Sequence, residues 1–107
     1  MDAKYRSREI RWLLLQILHE ARKSGTAQKS GWLNQLMAQE LLSVQGYDLP
    51  VEEMKDHLEY LIDKGCVEKV KVGDRPPQIS KYRILARGID ALEGQEKIAG
   101  IGIMAGR

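Results

Sequence analysis

Two histidines and a single cysteine are the side chains of this 107-residue chain best suited to a zinc-type metal site or, for the cysteine, to thiolate nucleophilic chemistry. Their spacing supports neither. His19 and His57 stand far apart, with no His-Glu-x-x-His pattern, no second ligand at helical spacing and no cysteine beside them, so a zinc-type ligand set is missing. Cys66 falls where a helix is expected to give way to a strand, a position that suits a small buried residue better than a nucleophile. The run "AGIGIMAG" from Ala99 to Gly106 is rich in glycine but lacks the strand-to-helix setting and the Lys-Ser/Thr pair of a phosphate loop. No Ser-His-Asp or paired-carboxylate arrangement can be assembled. The expectation is a protein that acts by binding, without enzymatic activity, cofactor, metal or small-molecule ligand.

Charge is the chemistry that remains. The net charge is only +2, but it is segregated along the chain. Up to Lys29, the bases Lys4, Arg6, Arg8, Arg11, Arg22, Lys23 and Lys29 outweigh Asp2, Glu9 and Glu20. Between Asp48 and Asp63, the acids Asp48, Glu52, Glu53, Asp56, Glu59 and Asp63 face Lys55 alone. Beyond them Lys69, Lys71, Arg75, Lys81 and Arg83 make the sequence basic again. These five, with Lys4, Arg6, Arg8 and Arg11, are the candidate phosphate contacts, since affinity for duplex DNA rests largely on Lys and Arg. The alternative for the bases of the expected hairpin is that they blunt its exposed edges against aggregation. For the acids, Glu52 and Glu53 suit the first turn of a helix, where negative charge meets the positive end of the helix dipole. Asp56, Glu59 and Asp63, with Lys55 one turn away, form either a solvated face or an acidic docking surface for a basic partner.

The elements that must position these residues are legible from periodicity. Ile10, Leu13, Leu14, Ile17, Leu18 and Ala21 recur at helical spacing within a first helix from about Tyr5 to Lys23, ended by Ser24 and Gly25. Trp12, Leu15 and His19 form a second stripe on its other face. After a polar connection from Thr26 to Gly31, Asn34 is a suitable N-cap for a second helix on which Leu36, Met37, Leu41 and Val44 share a face. Pro50 opens a third helix whose stripe is Val51, Met54, Leu58, Leu61 and Ile62, with Gly65 ending it. The β-branched run from Cys66 to Val72, the Gly/Pro turn at 73–77 and the run from Ile79 to Leu85 read as a hairpin. A short helix from about Ala86 to Glu93 follows.

Helix, helix, helix, hairpin resembles the winged helix-turn-helix superfamily, most clearly in "MKDHLEYLIDKGCV" (Met54 to Val67) and "YRILARGIDALEG" (Tyr82 to Gly94). The longer stretch from Leu33 to Val67 is similar to small winged-helix proteins of Mu-like transposable phages and prophages. The resemblance implies an α+β winged helix-turn-helix domain over residues 1–94, with three helices, a two-stranded β-hairpin wing and a short C-terminal helix. Residues 95–107 would be a Gly-rich apolar tail. In DNA-reading relatives the third helix enters the major groove, which here would present Glu52, Glu53, Lys55, Asp56, Glu59 and Tyr60 to the bases; this acidic face argues against such entry.

The functional expectation is therefore double-stranded DNA bound through the basic wing and N-terminal bases, with a regulatory role implied by the resemblance. The alternative is a protein-interaction adaptor that uses the acidic third helix and the first helix and binds no DNA. The resemblance also implies a homodimer, with Trp12, Leu15 and His19 at its interface; the alternative cover for that stripe is the tail, through Ile98, Ile101, Ile103 and Met104. Hydrophobic residues at 43% and charged residues at 30% match an ordinary globular chain. No apolar run reaches the roughly 20 residues of a membrane span, and no signal-peptide pattern opens the sequence, so a cytoplasmic location is expected.

Overall fold

The computed structural model describes the chain over residues 3–24 and 31–102. Helix α1 (Ala3–Ser24) leads to a short strand β1 (Leu33–Asn34), helices α2 (Gln35–Val44) and α3 (Val51–Asp63), the hairpin β2 (Val67–Val72) and β3 (Ile79–Ile84), and helix α4 (Ala86–Leu92). Among the described residues this is an α+β arrangement of four helices and one antiparallel sheet in the order β1-β3-β2.

Strand β1 is the departure from the expected two-stranded hairpin. Leu33 pairs with Tyr82 and Asn34 with Lys81, so β3 is the middle strand. Two residues are too few for alternation to be seen in a sequence. They pair because Leu33 must be buried, and Asn34, still extended at φ −82° and ψ 168°, caps α2 by accepting a 2.8 Å hydrogen bond from the Met37 amide.

Helix α1 lies at the centre and touches α2, α3, α4 and β3. Ile10, Leu14 and Leu18 are fully buried, together with Met54, Leu58 and Leu61 of α3, Leu42 of α2 and Ile84 of β3. Because other elements pack on several sides of α1, its second stripe is largely covered within the same chain. Leu15 is completely buried, so it has no surface to offer a dimer interface and departs from that expectation.

Two other stripes need correction. On α2 the buried residues are Ala38 and Leu42, while Leu36, Leu41 and Val44 are exposed. On α3, Val51 is exposed and His57 takes a place in the buried row. Periodicity identifies an apolar face, but the neighbouring elements decide which of its residues are covered.

The stretch after Gly94 belongs to the same core as far as Gly102. Ile98 and Ile101 are buried, and Gly100 runs so close to α3 that a Cβ there would lie 1.9 Å from the Tyr60 Oη. Lys29, Ile103 and Met104 lie outside the described residues, as do Gly25 and most of the connection before Gly31.

Candidate functional site

A shallow groove of about 530 Å³ lies between the hairpin and the helices α2 and α3. Strand β1 contributes Asn34, the start of α2 Gln35, α3 contributes Lys55, and the two hairpin strands contribute Lys69, Lys71 and Ser80. Strand geometry explains the pairing: Lys69 and Lys71 are two apart and share a face, and their cross-strand partners Tyr82 and Ser80 line the same groove. The Gln35 side chain donates a 3.1 Å hydrogen bond to the Val51 carbonyl, tying the start of α2 to the start of α3. Among the described residues the charged side chains that line the groove are Lys55, Lys69 and Lys71, with no acid among them. Glu59 reaches Lys69 from α3 at 3.0 Å, and this carboxylate raises the lysine pKa. The pair is solvent-accessible on both sides, so it is weak and can be exchanged for another anion.

The same register sends the other hairpin bases elsewhere. Lys81 pairs with Val70 and Arg83 with Glu68, so both point to the opposite face from Lys69 and Lys71. Arg83 forms an ion pair with Glu68 and stacks 4.6 Å from the Trp32 ring centroid. Arg75 is exposed on the connecting turn. The five bases of the hairpin therefore do not converge on one surface.

The N-terminal bases are engaged at a third place, where α1 meets α3 and the final segment. Arg6 pairs with Glu53 at 2.5 Å, which holds that carboxyl below its usual range. Arg8 donates through Nε to the Gly102 carbonyl at 3.1 Å. Arg11 donates to the Gly100 carbonyl at 3.0 Å and to His57 Nδ1 at 3.2 Å, and lies 3.6 Å from the Tyr60 ring centroid. The Tyr60 hydroxyl donates to the Ala99 carbonyl at 3.0 Å. The Lys4 side chain lies outside the described residues.

On α3, then, Glu53 and Tyr60 serve contacts within the chain and Glu59 holds Lys69, while Glu52, Lys55 and Asp56 are exposed. Of the second stripe on α1, Trp12 packs near Gly102 and His19 is half-exposed. The Cys66 thiol is buried, and desolvation pushes its pKa up, away from thiolate character. Among the described residues no group of three or more His, Cys, Asp and Glu could hold a metal ion, and no helix is long and apolar enough to cross a membrane.

Sequence reasoning missed the structural role of His57 and the polar groove residues Asn34, Gln35 and Ser80. The first had a signal: Met54, His57, Leu58 and Leu61 follow the i, i+3, i+4, i+7 pattern of a buried face. The others had none, because they meet only when β1 joins the sheet. The sequence matches no family model and no curated protein.

Proposed function

We propose that this chain is a winged-helix module that associates with duplex nucleic acid through phosphate contacts made by Lys55, Lys69 and Lys71, with little base readout by α3. The observation that carries the reading is the convergence of these lysines from a helix and a strand on a groove with no acid in its lining among the described residues. Asn34, Gln35 and Ser80 add hydrogen-bonding groups beside them, the kind of neutral polar contact that accompanies Lys and Arg at a DNA backbone. The three helices followed by a hairpin are compatible with the winged-helix arrangement that the sequence resemblance implied. The N-terminal arginines have no part in this reading, since their contacts are internal. The adaptor reading based on acidic α3 and on α1 has less support, because Glu53 already faces Arg6 and His57 and Leu15 is buried.

A fluorescence-anisotropy titration against random-sequence duplex DNA, at two salt concentrations, tests the proposal. Three phosphate contacts would make the logarithm of the affinity fall with the logarithm of salt at a slope of about −2.7. Replacing Lys55, Lys69 and Lys71 with alanine should remove most of the binding and flatten the slope, whereas Lys81→Ala, on the other face of the hairpin, should leave both nearly unchanged. Absence of binding by the wild-type protein at low salt, or full binding by the triple variant, would reject it.

A further inference from the structure

A second groove, of about 770 Å³, lies between α1, α2 and α4, on the other side of α2 from the lysines. Its apolar lining includes Ile17 and Ala21 of α1, Met37, Leu41 and Val44 of α2, and Leu92 of α4. Val44 is 84% exposed and Leu41 44%, so α2 leaves an apolar wall open to water although its Ala38 and Leu42 are buried. From Met37 to Val44 the wall runs about 10 Å at 1.5 Å per residue, the length of two helical turns. A helix laid along it would place residues i, i+3 or i+4, and i+7 against the wall.

The electrostatics select the kind of helix. Among the described residues the acids lining the groove are Glu20 and Glu93, and no Lys or Arg lines it. Helices α2 and α4 both end here, at Val44 and Leu92, and neither carries a basic residue in its last turn. Their carbonyl ends therefore add partial negative charge to that of the carboxylates. Glu20 does pair with Lys23 at 3.2 Å, but both side chains are exposed and water screens the pair. A second copy seated by two-fold symmetry would bring one acidic rim against another.

We propose that this groove receives an amphipathic helix of a partner protein whose apolar stripe is flanked by Lys or Arg. The proposal is independent of the nucleic-acid reading, since the two grooves use different faces of α2: Leu36 borders the lysines, whereas Met37, Leu41 and Val44 line the acidic-rimmed groove.

The test uses two fluorescein-labelled synthetic peptides with the same leucines at i, i+4 and i+7, one flanked by lysines and the other by glutamates. The lysine peptide should bind the full chain with a micromolar Kd and the glutamate peptide at least about tenfold more weakly. Val44→Lys should weaken the lysine peptide by more than about tenfold while leaving the melting temperature unchanged, because this side chain is exposed in the free protein. Equal affinity for both peptides, or no binding to either, overturns the proposal. So does a concentration-dependent dimer in sedimentation that Val44→Lys dissolves, which would make a second copy the occupant.

Discussion

His57 is held between two charged neighbours in a buried setting. Arg11 donates to its Nδ1, so the imidazole proton is assigned to Nε2, which faces Glu53 Oε2 at 3.3 Å. A second proton on Nδ1 would set two N–H donors against each other and place a cation beside Arg11, with Arg6 also near. Burial is the largest cause pushing the His57 pKa down; Glu53 opposes it, and the two arginines add to it. The folded state therefore favours the neutral ring. This stabilisation is complete above the ordinary histidine value of 6.5 and declines as pH falls from there toward the lowered folded-state value, because the unfolded chain takes up the proton first. Urea midpoints should accordingly fall between about pH 7.5 and about pH 5.5, and His57→Gln should show a smaller fall over this window. Glu53 titrates below the window, since Arg6 lowers its pKa. Equal pH dependence in the two proteins would assign the effect to another group.

Helix α4 has only seven residues and is held by its close seat on the hairpin. Gly88 makes the seat. A Cβ at this position would lie 2.7 Å from the Cys66 carbonyl oxygen and 2.8 Å from Ile84 Cγ1, and the first of these is backbone that cannot rotate aside. Gly88→Ala would gain helix propensity in isolation, yet here it should destabilise the protein by about 1 to 3 kcal/mol, the usual cost of overpacking. Chemical denaturation measures this directly, and an unchanged midpoint would mean that α4 does not sit so close to the sheet. At the hairpin the deciding feature is register: a one-residue shift would exchange Lys69 and Lys71 for Glu68 and Val70 in the groove. The DNA-binding contrast between the lysine triple variant and Lys81→Ala thus tests strand pairing as well as charge.

In the molecule as a whole, the stretch 95–102 closes the core. Ile98 and Ile101 enter the core, while the carbonyls of Ala99, Gly100 and Gly102 are bound by Tyr60, Arg11 and Arg8. Ending the chain after Gly94 removes both isoleucines, each contributing roughly 1.5 to 3 kcal/mol on burial, and leaves Arg11 without its tail contact. A lower denaturation midpoint and a red shift in tryptophan emission, from Trp12 losing Gly102 as a neighbour, are the expected results. Unaltered stability would show that the segment lies on the surface without supporting the core. The N-terminal arginines therefore act as staples between α1, α3 and the segment that runs to Gly102.

The α+β class, the succession of three helices, hairpin and short helix, and the Asn34 cap could be read from the sequence, because local periodicity and turn chemistry act between near neighbours. Buried rows such as Met54, Leu58 and Leu61 were legible for the same reason. The tertiary structure decided what depends on distant pairing. It joined β1 to β3, divided the hairpin bases between two faces, and set Arg6 and Arg11 against Glu53 and His57. It also covered Leu15 and left Val44 in water. A charge map along the chain records which side chains are available, but whether a lysine meets a phosphate or a carboxylate depends on register and packing across many residues.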